Sequence, residues 1–266
     1  MDVKTLLIER GIRPTRSLGQ YFLIDESVAT RMVEYAGVES GDVVLEIGAG
    51  VGSLTEHLER KAKKVYAVEK DAALCEVLRE RFHDKSRIEV LEGDIMKLEI
   101  PKCDKVVASI PFSLSSSITY KLLLHNQGFG LAVLLYQKEF AQKLSAIPES
   151  EAYGRLSVIT QVLAVVEILE GVHRDAFYPA PPVKTVVVRL KEKEKGERIV
   201  GDKAKFFEVV TVAFDQRRKM MKRIFKDCFA KNTELVDLEK RPEELWPGEF
   251  AKLANYLASK GRLKSE

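Results

Sequence analysis

Short apolar runs alternate along this chain with stretches in which apolar residues return at helical spacing. Residues 44–47, 64–71, 88–95, 105–108, 131–136 and 165–170 have the length and composition of buried strands. Between them, 25–36 sets Val28, Met32 and Val33 on one helical face, and 138–146 and 156–163 also read as helices. Strand and helix in alternation predict an α/β fold with a doubly wound, mainly parallel sheet. Ahead of it, 2–9 reads as a short helix and 10–19 as an irregular arm. Pro179, Pro181 and Pro182 impose an extended loop before 184–190, a strong strand expected to close the sheet. A Lys/Glu-rich hinge follows at 191–197; then 202–231 is predicted helical, and 242–260 to hold two short helices. The expected organisation is a first domain over 1–192 and a small helical domain over 193–266.

The junction of the first of these strands with its helix carries the strongest local signal. Val44-Leu45-Glu46-Ile47-Gly48-Ala49-Gly50-Val51-Gly52-Ser53 is a strand, a glycine turn and a helix start. Glycines without a Cβ allow the sharp turn and the close approach of a ligand to backbone. A pyrophosphate fingerprint would need its third glycine at position 53, where Ser53 stands. Such a turn also serves packing alone. Three later strand ends narrow the choice. Glu69 closes the second strand, where an acid accepts hydrogen bonds from a ribose diol. Asp94 follows the third, within reach of an adenine amino group. Ser109-Ile110-Pro111-Phe112 follows the fourth. An ordered set of polar groups at successive strand ends suits a nucleoside cofactor in the crevice there.

These four motifs together resemble a class I methyltransferase that uses S-adenosylmethionine. More narrowly, the chain is similar to the ribosomal small-subunit RNA adenine N6-dimethyltransferases. That likeness is carried further by Leu18-Gly19-Gln20-Tyr21-Phe22-Leu23, Tyr136-Gln137-Lys138-Glu139, Ala152-Tyr153-Gly154-Arg155-Leu156-Ser157, Ala176-Phe177-Tyr178-Pro179 and Gln216-Arg217-Arg218-Lys219. It covers the chain from about Ile12 to about Arg223 and is loose over the last ~40 residues. The resemblance implies a seven-stranded Rossmann-like sheet. It implies a cofactor held by Gln20, Tyr21, Leu23, Glu46, Gly48, Gly50, Glu69, Lys70, Asp94, Ile95 and Ser109. For catalysis it implies Ser109, Ile110, Pro111 and Phe112, with Phe177 as a second stacking surface. The expected reaction is methyl transfer to N6 of adenosines, two adjacent ones being dimethylated, in small-subunit ribosomal RNA. The product would be S-adenosylhomocysteine. Partners would be that RNA and the pre-small-subunit particle, met by a monomeric cytoplasmic enzyme.

The exocyclic amine of adenine is a weak nucleophile, because its lone pair is delocalised into the ring. Acceptors aimed at its two hydrogens, here Ser109 Oγ and the Ile110 carbonyl, would localise it, and Phe112 would stack the flipped base. The chain departs from the family at these positions. Most members have Asn at position 109, Tyr at 112, Asn or His at 21, and Pro, Lys and Asp where Ala180, Pro182 and Lys184 stand. Two alternatives therefore stay open: a weakly active or inactive assembly factor of the same fold, and an adenine methyltransferase acting on another RNA.

Composition adds little against this. The chain has 266 residues and a net charge of +3. Its three cysteines (75, 103, 228) and four histidines have no metal or disulfide spacing, so no metal is expected. No apolar run reaches the ~18 residues of a membrane span. The charge is unevenly spread. Residues 191–266 hold 19 Lys and Arg against 14 Asp and Glu, while the remainder has 24 against 26. Arg217, Arg218, Lys219, Lys222 and Arg223, at helical spacing, form an expected phosphate-facing stripe, joined by Arg155 and by Arg13 of the arm.

Overall fold

The structure, a computed structural model, describes residues 3–15, 19–125, 127–194, 197, 199–226 and 235–260. Arg16, Leu18, Cys228 and the end of the helix expected over 202–231 lie outside the described residues. The elements run α1 (Val3–Glu9), β1 (Phe22–Leu23), α2 (Glu26–Tyr35), β2 (Val43–Ile47), α3 (Ser53–Glu59), β3 (Lys64–Glu69), α4 (Ala72–Arg81), β4 (Ile88–Glu92) and β5 (Lys105–Ser109). They continue with α5 (Ser115–Leu124), β6 (Leu131–Gln137), α6 (Lys138–Leu144), α7 (Arg155–Leu163), β7 (Ala164–Val172), β8 (Phe177–Tyr178), β9 (Thr185–Glu192), α8 (Lys203–Asp215), α9 (Met221–Ile224) and α10 (Pro247–Ser259). Among the described residues no helix is long and apolar enough to cross a membrane.

The chain separates into two compact units, Met1–Ala141 with Glu167–Glu192, and Gln142–Val166 with Lys193–Glu266. The segment 142–166, expected within the first domain, groups instead with the C-terminal helices.

In the first unit seven strands lie in the order β4-β3-β2-β5-β6-β9-β7. The pairs β4–β3, β3–β2, β2–β5 and β5–β6 are parallel, and β9 runs antiparallel to β6. Thus β9, the strand expected to close the sheet, lies inside it, and β7 forms that edge. The central strands are apolar because they are covered on both faces: Val44, Leu45, Val106, Val107, Val133 and Leu134 are all fully buried. Chain order reverses at β2, between β3 and β5, which opens a crevice at the carboxyl ends of these strands. Asp25 caps α2, accepting from the backbone N–H groups of Ser27 and Val28.

A two-stranded ribbon pairs β1 with β8 antiparallel, Phe22 opposite Tyr178 and Leu23 opposite Phe177. Strands of two residues carry no period, so the pairing was not foreseen.

The glycine turn is held by steric fit. Gly52 has φ +86°, and a Cβ there would stand 2.5 Å from Phe82 Cε2 and 3.1 Å from Leu78 Cδ2. Gly52→Ala is expected to cost about 2 kcal/mol, because the left-handed backbone and a buried ring both oppose it. A lowered midpoint in urea denaturation checks this.

In the second unit α7, α8 and α10 pack on one another. Tyr153 donates its hydroxyl to the Leu245 carbonyl at 2.6 Å, and Phe214 stacks on Phe250 at 5.6 Å. The helix expected over 202–231 is interrupted. It ends at Asp215 and resumes at Met221, with residues 216–220 in a turn. The cause is tertiary: the Met221 and Lys222 N–H groups donate to the carbonyls of Lys240 and Leu238, which draws the backbone off the helical path.

Candidate active site

The crevice is a cleft of about 380 Å³, within the ~300–1,000 Å³ range of small-molecule sites. All eleven positions expected to hold a cofactor line it, from Gln20, Tyr21 and Leu23, just after the arm, to Ser109 at the end of β5. Pro111 lines it as well. Also in the wall, and missed by sequence reasoning, are Ser113, Leu114 and Ile118, because the chain after Pro111 turns at Phe112–Leu114 and enters α5 along the cleft. The Ser-Ile-Pro-Phe motif could have located them, as the residues directly after it.

The glycine turn meets the loop after β5. Gly48 has φ +73°, and a Cβ on it would lie 3.4 Å from Pro111 Cδ and 3.7 Å from the Ser109 carbonyl oxygen. Backbone is thereby brought against backbone at the reacting end of the cleft.

Glu69, only 8% exposed, is an organising group. Its Oε2 accepts from the Gly50 N–H at 2.9 Å, and its Oε1 from those of Lys70 and Asp71 at 2.7 and 3.0 Å. A carboxylate has about four acceptor positions, so capacity remains on Oε2 for a ligand hydroxyl. Glu46 is fully buried, and desolvation, opposed by the Thr55 hydroxyl bond at 2.6 Å, pushes its carboxyl up to about 8. It therefore keeps a proton near neutrality. Asp94 behaves oppositely. The Lys70 ammonium at 2.9 Å and the Met96 N–H hold its carboxyl below the usual carboxylate range, so it stays an acceptor. Gln20 reaches Asp71 Oδ2 at 3.5 Å and accepts from the Thr15 N–H at 2.8 Å, tying the arm to the mouth of the cleft.

The residues expected to hold the base are only partly gathered here. Ser109 lines the cleft, and its hydroxyl makes no hydrogen bond among the described residues. Ile110 is buried. Phe112 is half-buried outside the cleft wall, stacked on Tyr21 with ring centroids 5.3 Å apart. Phe177, expected as a second stacking surface, is 3% exposed and belongs to the core cluster that holds Leu23, Val28 and Met32. It stands opposite Leu23 in the β1–β8 ribbon and does not itself line the cleft.

The cations expected on RNA fall in both units. Arg13 is exposed on the arm. In the second unit Arg217, Arg218 and Lys219 stand in the 216–220 turn, not on a helical face, while Lys222 and Arg223 begin α9. Arg217 pairs with Glu243 at 2.7 Å, Lys222 with Glu239 at 2.6 Å and Arg155 with Asp215 at 3.9 Å. Lys219 donates to Gln216 at 2.9 Å. Among the described residues Arg218 and Arg223 are exposed and make no ion pair.

A family profile described as ribosomal RNA adenine dimethylase matches residues 12–259. A protein of Methanococcoides burtonii named probable ribosomal RNA small subunit methyltransferase A is 41% identical, over 96% of this chain and 97% of its own. Among solved structures, a dimethyladenosine transferase from Plasmodium falciparum superimposes with a TM-score of 0.77 at 28% identity, over 89% of this chain and 97% of that one. The 23S rRNA methyltransferase ErmE superimposes with a TM-score of 0.67 at 26% identity, over 89% of this chain and 99% of that one.

Proposed function

Since the chain belongs to the ribosomal RNA adenine dimethylase family, we propose that it methylates N6 of adenosines in small-subunit ribosomal RNA, with S-adenosylmethionine as donor. The observation that carries this reading is the convergence of all eleven cofactor positions on one cleft whose edge is the Ser-Ile-Pro-Phe loop. The small-subunit relative, at 41%, is nearer than the 23S enzyme at 26%, which favours small-subunit RNA over the large-subunit alternative.

The donor set fits the cofactor. Gly48 and Gly50 would face its amino-acid part, Glu69 its ribose and the ionised Asp94 its adenine amine, with Leu23 packed beside it. When bound, S-adenosylmethionine supplies a methyl group already activated on a sulfonium and leaves as S-adenosylhomocysteine. The chain's own work is orientation. Ser109 Oγ and the Ile110 carbonyl accept from the N6 hydrogens and direct the nitrogen lone pair toward the methyl group, while Phe112 stacks the base. Two adjacent adenosines, each methylated twice, on a pre-small-subunit particle met by a monomer, complete the proposal.

The test is methyl transfer to small subunits lacking the modification, with nucleosides analysed by mass. N6,N6-dimethyladenosine is expected. Binding without product would point to an assembly factor, and product on large-subunit RNA alone to the other target.

The cations of the second unit would contact phosphates. Arg218 and Arg223, which make no ion pair among the described residues, should contribute more than Arg217 and Lys222, whose charges already face glutamates. Replacing Arg218 and Arg223 with Ala should weaken subunit binding and flatten its logarithmic salt dependence by about one per lost contact. An unchanged slope in filter binding across a salt series would return both to ordinary solvated surface.

A further inference from the structure

Tyr21 stands between the cofactor cleft and the loop that carries Phe112. It lines the cleft, and its ring lies on Phe112 at 5.3 Å between centroids with 28° between planes. It is also anchored, being half-buried and packed against the core cluster of the sheet. The backbone before it is flush with the same loop: a Cβ on Gly19 would stand 3.2 Å from the Phe112 nitrogen and 3.5 Å from Pro111 Cβ. Phe112 itself opens a three-residue turn, and its carbonyl accepts from the Ser115 hydroxyl at 3.0 Å.

A phenyl ring has two faces, and Tyr21 covers one of them. Phe177 is buried in the core and does not line the cleft. We propose that Tyr21 is a positioning residue for the target adenine: it backs Phe112, fixes the tilt of that ring, and leaves its other face as a platform on which the base stacks. This rests on reading Phe112 as the base platform of the methyl transfer. A ring held from behind presents a defined plane, and a small error in that plane misaims N6 at the methyl group. Because Tyr21 both lines the cleft and stacks on Phe112, the base platform and the cofactor wall share one side chain.

The experiment is a double-mutant cycle of Tyr21→Leu and Phe112→Leu on undermodified small subunits, with kcat, KM and calorimetric cofactor affinity measured for each. Tyr21→Leu should lower kcat by about 2- to 12-fold, the worth of an aromatic pair. Cofactor affinity should move less than kcat, and Tyr21→Phe should recover most of the loss. In the Phe112→Leu background, Tyr21→Leu should have no further effect, because the ring it supports is gone. Additive losses would overturn the proposal, as would an unaltered kcat in Tyr21→Leu or a loss explained wholly by cofactor affinity. Should Tyr21→Leu melt before assay temperature, Tyr21→Met carries the same cycle. Wild-type protein that makes no methylated adenosine would sink the functional reading itself; an active wild type with additive variants would sink only the role of Tyr21.

Discussion

Glu69→Ala should lose most of its affinity for S-adenosylmethionine. The ribose bonds go to a charged acceptor, worth about 1.5–3 kcal/mol, or roughly 10- to 150-fold in Kd. The carboxylate also anchors the N–H groups of Gly50, Lys70 and Asp71, so its removal frees the glycine turn as well. The two effects separate with a ligand lacking one ribose hydroxyl. Wild type should bind the deoxy analogue of S-adenosylhomocysteine more weakly than the parent. Glu69→Ala should bind the two alike. Calorimetry that finds the same deoxy penalty in both proteins would remove Glu69 from the ribose site and leave it only as a brace of the turn.

Ser109→Ala should slow methyl transfer while leaving cofactor affinity nearly intact. Its hydroxyl, with no partner among the described residues, is open to the N6 hydrogens at the cleft edge. A lost transition-state hydrogen bond of ~2–3 kcal/mol corresponds to ~30- to 150-fold in kcat. Ser109→Asn sharpens the test. The commoner family residue should speed transfer if the serine is a compromise, and slow it if the wall at Ser113, Leu114 and Ile118 has closed around the smaller side chain. A Ser109→Ala enzyme at full single-turnover rate would show that this loop does not orient the amine.

The cofactor half of the site was legible in sequence because it is built from strand ends. Apolar runs give the strands, a parallel sheet aligns their carboxyl ends, and Glu69, Asp94 and Ser109 fall together at one edge. What depends on distant pairing was not legible. The β1–β8 ribbon that sets Phe177 opposite Leu23 is too short to carry a period, and the insertion of β9 between β6 and β7 leaves no mark on either strand alone. The break at residues 216–220 contains neither Gly nor Pro. It arises from hydrogen bonds to residues 238 and 240, so the basic residues there read as a helical stripe until those partners are known. Tyr21 could be flagged as a departure from its family, but only the stacked ring shows what it touches.

The interleaved course of the chain bears on how this protein can be divided. Its helical unit is assembled from two separate stretches, Gln142–Val166 and Lys193–Glu266. A fragment ending at residue 192 would keep α7, an almost wholly buried helix, but lack α8 and α10, the helices it packs on. Such a piece would aggregate before its activity could be judged. Likewise, a chimera that borrows a relative's helical unit must transplant both stretches at once, since neither supplies a closed core alone. The unit is an insert and a tail that pack together, and it can be exchanged only as a pair.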